Sequence, residues 1–175
     1  MYMDFQYYTP TKVVFGKGAE AQVGELVKAQ NCKKVLIHYG GQSAVKSGLI
    51  GRIEAALQEA GVSYVSLGGV VPNPRLSKVY EGIELCKKES VDFLLGVGGG
   101  SVIDSCKAIG YGLCYDGDVW DIISQQVVPT ACTPIASVVT LAAAGSEMSN
   151  SCVITKEETG EKRAVNNDVS RPKFA

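Results

Sequence analysis

The chain has 175 residues, of which 46% are hydrophobic, and a formal net charge of −1. This length suits one domain with a substantial core, and the balanced charge argues against nucleic acid or an anionic membrane as a partner. No apolar run approaches the roughly 20 residues that span a bilayer, and the first fifteen residues lack the pattern of a signal peptide. We therefore expect a cytoplasmic protein with no nucleic-acid or membrane partner.

Strand and helix periodicities alternate along the chain. They predict a short strand at 12–15, a helix over 19–27, strands at 35–38 and 63–67, a helix over 49–60 between them, a helix over 76–86, a strand at 93–97 and a helix over 102–113. A further strand is predicted at 133–139, and a hairpin at 151–155 and 162–166 around Thr159 and Gly160. The alternation predicts an α/β fold, a Rossmann-like parallel sheet with helices on both faces plus a β-hairpin. We expect residues 1–175 to form one dinucleotide-binding domain.

Ligands of such sheets lie beyond the carboxyl ends of the strands. Three predicted loops leave those ends, at 39–43, 68–74 and 98–101, and all are rich in Gly, Pro, Asn or Ser. The sequence therefore predicts a binding site where these loops meet.

The strongest chemical signal is the segment from Gly98 to Lys107, GGGSVIDSCK, which follows a buried strand and opens an amphipathic helix. Glycines allow a ligand to approach the backbone closely, and the free amides and dipole of a helix start favour a phosphate. Ser101 is predicted to be the N-cap, and Asp104 to lie in the first turn of the helix.

This segment is not a standard nucleotide motif. It lacks the last glycine of G-x-G-x-x-G, and no Gly-Lys-Ser/Thr follows as in a P-loop. A tight strand-to-helix turn without any ligand is therefore an alternative interpretation.

Four segments carry a family resemblance. They are TPTKVVFGKG at 9–18, VPNP at 71–74, the Gly-Gly-Gly-Ser-x-x-Asp-x-x-Lys segment at 98–107, and TLAAAGSEMS at 140–149. In order and spacing they resemble iron-containing alcohol dehydrogenases over essentially the whole chain. The segment HYGGQS at 38–43 and Trp120 are similar to the butanol dehydrogenase-like branch.

The resemblance implies a cofactor site and assigns no catalytic residue and no metal ligand to this chain. Residues 99–103 would hold the pyrophosphate, Asn73 would lie near the ribose or pyrophosphate, and Val153 and Lys162 would reach the nicotinamide end. The implied cofactor-binding residues are Gly40, Gly41, Ser43, Asn73, Gly98, Gly99, Gly100, Ser101, Val102, Ile103, Asp104, Thr140, Leu141, Ala144, Val153 and Lys162. Ala144 stands where the family often has Thr, and Ala142 where it often has Pro.

The choice of nicotinamide cofactor depends on the loop after the second predicted strand. An acidic residue there accepts hydrogen bonds from the ribose 2′-hydroxyl and selects NAD. Residues 40–43 contain no carboxylate, and Ser43 and Lys46 could face a 2′-phosphate. We therefore expect NADP(H), with NAD(H) as the alternative.

The family's chemistry would also require iron held by one Asp and three His, which activates the alcohol for hydride transfer. This chain contains a single histidine, His38, at a predicted strand end, where a polar cap or a cofactor-side contact suits it better than a metal ligand. We therefore expect iron only in a full-length parent enzyme. The chain would then be a truncated protein, a dissected domain or a split gene product that lacks the helical metal domain and is inactive alone.

Two other functions are open. The chain could be a stand-alone nucleotide-binding module, or a subunit completed by a partner chain that supplies the metal half. It could also be a relative of glycerol dehydrogenase or dehydroquinate synthase, although the Trp120 region and the 140–149 loop argue against that. The resemblance further implies a homodimer through the N-terminal strand, with residues 4–15 as the interface.

Overall fold

A computed structural model describes residues 4–5 and 7–175. The helices are α1 (Val23–Lys28), α2 (Gln42–Lys46), α3 (Leu49–Glu59), α4 (Leu76–Glu89), α5 (Gly100–Leu113) and α6 (Val119–Ile123). The strands are β1 (Lys34–Tyr39), β2 (Ser63–Leu67), β3 (Phe93–Gly98), β4 (Ile135–Val139), β5 (Ser151–Lys156) and β6 (Glu161–Asn166). Short 3₁₀ turns cover Ala19–Gln22 and Asp168–Ser170.

Strands β1 to β4 form one parallel sheet in the order β2-β1-β3-β4. Beyond β4 the backbone of Lys173 and Phe174 continues the hydrogen bonding, because Lys173 N–H donates to Ile135 O and Ser137 N–H donates to Phe174 O. A single bridge then joins Phe174 to Lys12. All the carboxyl ends of the four strands therefore meet at one edge of the sheet.

Helices cover both faces of the sheet, as the sequence predicts. Leu36 and Leu94 point into a core shared with α4, α5, α6 and the β5-β6 hairpin. Their neighbours Val35 and Phe93 point into the opposite core, which is shared with α1 and α3. This alternation follows from the two-residue period of a strand. No helix in the described ranges is both long and apolar enough to cross a bilayer.

The predicted hairpin is confirmed. Strands β5 and β6 are antiparallel, with Ser151 opposite Asn166 and Lys156 opposite Glu161. Gly160 ends the turn at a φ of +71°, a conformation that glycine adopts without steric cost. The buried side chains of Cys152, Ile154 and Val165 pack the hairpin against α5 and its neighbours.

Local boundaries differ from the predictions in several places. The predicted strand at 12–15 is reduced to a bridge between Lys12 and Phe174, beside which Val14 N–H donates to Ala175 O. The helix predicted over 19–27 begins as a 3₁₀ turn and becomes α-helical only at Val23. The short helices α2 and α6 were not predicted, because five residues are too few to show a helical period.

The contact between α1 and α3 leads to a stability prediction. A Cβ atom added at Gly24 would overlap the carbonyl oxygen of Ala56 and lie 2.8 Å from its carbonyl carbon. Gly24→Ala should therefore force the helices apart and lower the free energy of unfolding by about 1–3 kcal/mol. The thermal midpoint should fall by about 2–4 °C for each kcal/mol.

Gly51→Ala is the matched control. Gly51 lies in α3 with no atom within 4 Å of the added Cβ, so alanine should stabilise the helix by about 0.5–1 kcal/mol. Equal thermal midpoints for the two variants would contradict this account of the helix contact.

Candidate nucleotide site

Four chain segments are tied together at the carboxyl edge of the sheet. Gly69 N–H donates to Gly40 O over 2.9 Å, and Val70 N–H donates to Tyr39 O over 3.2 Å. Thr140 N–H donates to Gly98 O over 3.1 Å. The three loops that the sequence singles out therefore converge, and the segment after β4 joins them.

The glycine turn connects β3 to α5. Gly99 is the N-cap residue, with an extended backbone, and no side chain caps the helix. Its carbonyl accepts hydrogen bonds from the amides of Val102 and Ile103. The helix therefore starts with Gly100 and Ser101, whose amides precede the first intrahelical bonds and are available to a ligand.

Two details of the sequence prediction are wrong here. Ser101 is the second residue of α5 and not its N-cap, because Gly99 already provides the carbonyl that starts the helix. Asp104 is consequently the fifth helical residue and lies in the second turn. The amphipathic pattern from Val102 onward could not reveal this offset, because the glycines before it carry no apolar signal.

The glycines of the turn have different surroundings. A Cβ at Gly98 would lie 2.6 Å from Val102 Cγ2, and one at Gly100 would lie 3.1 Å from Ser146 Oγ. The nearest atom to a Cβ at Gly99 would be Leu141 Cβ, at an ordinary 3.8 Å. Gly98 and Gly100 thus permit close packing, whereas Gly99 borders a gap that a side chain could fill.

Asp104 carries a buried acceptor without a partner. The residue is 9% exposed, and its Oδ2 accepts a hydrogen bond from Val153 N–H over 3.2 Å. Its Oδ1 is buried and forms no hydrogen bond within 3.5 Å in the described residues. Burial raises the pKa of this carboxyl, although the charge of Lys107 and the nearby Ser146 side chain help to lower it. Because an unpaired buried oxygen is costly, this atom suits a donor from a ligand.

Asn73 and Lys162 meet although they are far apart in the chain. Lys162 Nζ donates to Asn73 Oδ1 over 2.8 Å. Asn73 has a φ of +57°, which Asn tolerates better than most residues. Thr155 N–H donates to Pro74 O nearby and ties the hairpin to this loop. Together with the Asp104–Val153 bond, these contacts bring two pairs of predicted site residues together.

The remaining predicted residues divide by exposure. Gly41, Ser43, Thr140, Leu141 and Ala144 are exposed, and Gly40 is half-buried. The side chains of Val102 and Ile103 are buried, so only their backbone could contribute to binding. A cavity of about 610 Å³ opens beside Thr140 and Leu141, between α1, α3 and the edge of β4.

Sequence reasoning missed two features of this region. Ser137 lines the cavity, and its buried hydroxyl has no partner among the described residues. Lys107 is fully buried and contacts the loop after β4. The sequence did contain a sign of the buried role of Lys107. A lysine among predicted buried positions of α5 requires hydrogen-bond acceptors in the interior.

Comparison with known proteins supplies the family. A family model for iron-containing alcohol dehydrogenases matches residues 10–175. The chain belongs to the iron-containing alcohol dehydrogenase family. Relatives include NADH-dependent butanol dehydrogenase A of Clostridium acetobutylicum, 46% identical over 99% of this chain, and probable NADH-dependent butanol dehydrogenase 2 of Bacillus subtilis, 48% identical over 98%.

A solved structure supports the same assignment. NADH-dependent butanol dehydrogenase A from Thermotoga maritima is 43% identical and superposes over 98% of this chain with a TM-score of 0.95. This chain covers 43% of that structure and 44% of each of the two relatives. The similarity therefore concerns the N-terminal part of longer enzymes.

Iron does not fit the residues present. Within residues 4–5 and 7–175, no three His, Cys, Asp or Glu side chains come close enough together to hold a metal ion. The single histidine has other partners, since His38 Nδ1 lies 2.9 Å from Leu67 O and Nε2 lies 2.9 Å from Ser105 Oγ. Its ring is fully buried within β1. The prediction that His38 is a polar cap or a cofactor-side contact is therefore wrong, because the β1 pleat directs it into the protein.

The burial of His38 leads to a pH prediction. Desolvation lowers the pKa of His38 to about 4. In the unfolded chain the pKa of this histidine is about 6.5. Below that pH the unfolded chain therefore binds a proton that the folded chain does not bind. The free energy of unfolding should therefore fall between about pH 6.5 and pH 4, by about 3 kcal/mol in total.

Denaturant titrations at several pH values measure this change. His38→Gln should lose that part of the pH dependence. Because the chain has one histidine, its imidazole NMR signal is unambiguous and should not titrate above about pH 5. A midpoint near pH 6.5 would contradict the buried, neutral ring.

Proposed function

We propose that this chain binds a nicotinamide dinucleotide as the N-terminal part of an iron-dependent, butanol dehydrogenase-like alcohol or aldehyde oxidoreductase. The observation that carries the proposal is the uncapped start of α5 beside a buried carboxylate oxygen without a partner. Amides and a positive dipole end suit the pyrophosphate, and Asp104 Oδ1 suits a donor from the nucleotide. The family membership supports the same ligand.

The roles proposed for the residues follow the chain's own geometry. The pyrophosphate would contact the amides of Gly100 and Ser101, in the gap that Gly99 leaves open. The adenosine would extend toward Thr140 and Leu141, where the cavity of about 610 Å³ offers an apolar surface. The nicotinamide would lie toward Asp104, Val153 and Lys162. When bound, the nicotinamide ring supplies the hydride chemistry.

Gly99→Val tests the phosphate assignment. The backbone of Gly99 has a φ of −91°, which valine can adopt, and the added Cβ meets only Leu141 at 3.8 Å. The fold should therefore persist while the branched side chain fills the space for the phosphates. The dissociation constant for the dinucleotide, measured by isothermal titration calorimetry, should rise by at least about tenfold, or 1.4 kcal/mol. Unchanged affinity in a folded variant would reject the proposed site.

The preferred nucleotide is proposed to be NADP(H), with NAD(H) as the alternative. Residues Gly40 to Lys46 contain no carboxylate, and Lys46 adds a positive charge to α2. A 2′-phosphate would meet no repulsion from this segment. The relatives described above are named as NADH-dependent enzymes, which favours the alternative. Parallel titrations with NADPH and NADH decide between them.

Ser43→Asp is the matched variant for this choice. The exposed position of Ser43 at the start of α2 should accommodate aspartate without loss of stability. A carboxylate there would repel a 2′-phosphate and accept hydrogen bonds from a free 2′-hydroxyl, so the preference for NADPH over NADH should fall by about tenfold. If the ratio of the two dissociation constants does not move, this loop does not face the ribose.

The alternative function is a nucleotide-binding module or subunit that a partner chain completes. Both functions require nucleotide binding, and they differ in whether a second chain supplies the iron ligands. We propose that the 175-residue chain alone does not reduce an aldehyde, since its described residues do not form a metal site. Turnover of butanal with NADPH by the purified chain would contradict this proposal.

Self-association is also proposed. Phe5, Tyr7, Tyr8 and Phe15 are more than 70% exposed, and exposed aromatic side chains of this kind favour association between chains. The proposed homodimer interface at residues 4–15 includes Gln6, which lies outside the described residues.

A further inference from the structure

The last residue of the glycine-rich segment, Lys107, lies in the interior and not at the nucleotide site. It is fully buried in the second half of the segment's helix, α5. Its Nζ donates to the carbonyl oxygens of Ser146 over 2.8 Å, Ser149 over 2.9 Å and Ser151 over 2.8 Å. An ammonium has three protons to donate, and three carbonyls accept them. The side chain is therefore satisfied by backbone oxygens of the loop before β5 and of the first residue of β5, Ser151.

This arrangement is unusual because the cation is buried without a direct ion pair. Among the described residues, Lys107 forms no salt bridge within 4 Å. Asp104, one helical turn earlier, provides only a longer-range attraction. Burying an ammonium is expensive unless its hydrogen bonds are made. The three carbonyls must therefore stay in place for the lysine to remain inside, and the lysine holds them there in return.

The segment that Lys107 holds, residues 146–151, borders the proposed nucleotide site. Ser146 lies over the glycine turn, with its Oγ 3.1 Å from the position of a Cβ at Gly100. At its other end the segment leads into β5, where Val153 N–H binds Asp104 Oδ2. Between Gly145 and Asn150 the backbone forms a turn, in which Met148 and Ser149 N–H donate to Gly145 O. Arg171 and Asn167 donate to the carbonyls of Met148 and Asn150, so Lys107 shares the positioning of this segment with the residues after β6.

We infer that Lys107 is a positioning residue for nucleotide binding. By hydrogen bonding to the carbonyls of residues 146–151, it holds Ser146 against the glycine turn and Val153 against Asp104 before the nucleotide binds. The inference rests on the proposed function, since it explains how the site is preformed. A site that is ordered in advance binds more tightly because less conformational entropy is lost on binding. Lys107 itself does not touch the nucleotide.

Lys107→Met tests this role, because methionine keeps a long unbranched side chain and removes all three donors. In calorimetric titrations of the 175-residue chain, NADPH should bind about tenfold more weakly than to the unmodified chain. Hydrogen exchange of the amides in 146–153 should accelerate, while exchange in β1 and β3 stays slow. Lys107→Gln, which keeps two donors, should bind with intermediate affinity.

Ile123→Ala is the control for general destabilisation. Ile123 is fully buried in α6 and does not line the cavity, so the variant should be less stable yet bind NADPH like the unmodified chain. Weaker binding by Lys107→Met but not by Ile123→Ala supports the inference. Unchanged affinity of Lys107→Met, or equal weakening in both variants, overturns it.

The unmodified chain provides a further measurement if the Lys107 variants do not fold. Its amides in 146–153 should exchange slowly without any nucleotide, because Lys107 acts before binding. Exchange at the rate of an unstructured peptide would overturn the inference. Failure of the unmodified chain to bind either NADPH or NADH would instead reject the proposed function and, with it, the role of Lys107.

Discussion

The burial of α5 is the constraint on which the rest of the structure depends. Every residue from Val102 to Gly112 is buried, because the helix lies between the parallel sheet, α4, α6 and the β5-β6 hairpin. A helix covered on all sides cannot shift along its axis without breaking packing throughout the core. Its N-terminus is therefore held rigidly at the carboxyl edge of the sheet, where the loops from β1, β2 and β4 converge.

A buried helix still has to accommodate polar groups, and two of them organise the candidate site. Lys107 satisfies its charge with three carbonyls of residues 146–151. Asp104 satisfies one carboxylate oxygen with Val153 N–H and leaves the other unpaired. The two side chains attract each other across one helical turn. Lys107 thus has a hydrogen-bond acceptor for each of its protons and suits a structural role. The carboxylate of Asp104 has one oxygen without a donor and suits a ligand.

Membership of the iron-containing alcohol dehydrogenase family is consistent with a division of work between parts of a longer enzyme. The described residues provide glycines, amides and a buried carboxylate, which suit a nucleotide, but they do not provide the ligand set that iron requires. The chain covers 44% of the relatives reported above. Under the proposed function, these residues would orient the dinucleotide and residues elsewhere in a longer enzyme would hold the metal.

The sequence by itself determined the class of the fold and pointed to the edge of the sheet at which we propose the nucleotide site. Strands β1 to β4, the long helices α3 to α5 and the hairpin follow from hydrophobic periodicity, and the glycine turn marks where β3 becomes α5. Periodicity works there because it records which face of an element is buried. The sequence also suggested candidate site residues, because the resemblance depends on short contiguous segments. Their roles stay predictions.

Only the tertiary structure decided which of these residues meet and in what state. It made Gly99 the cap in place of Ser101, placed His38 in the core on Ser105, and joined Lys162 to Asn73, 89 positions away. It also gave Lys107 its three carbonyls. The physical reason is that such hydrogen bonds depend on the direction of a side chain or a carbonyl within the packed fold, and local periodicity contains no information about a partner on a distant element.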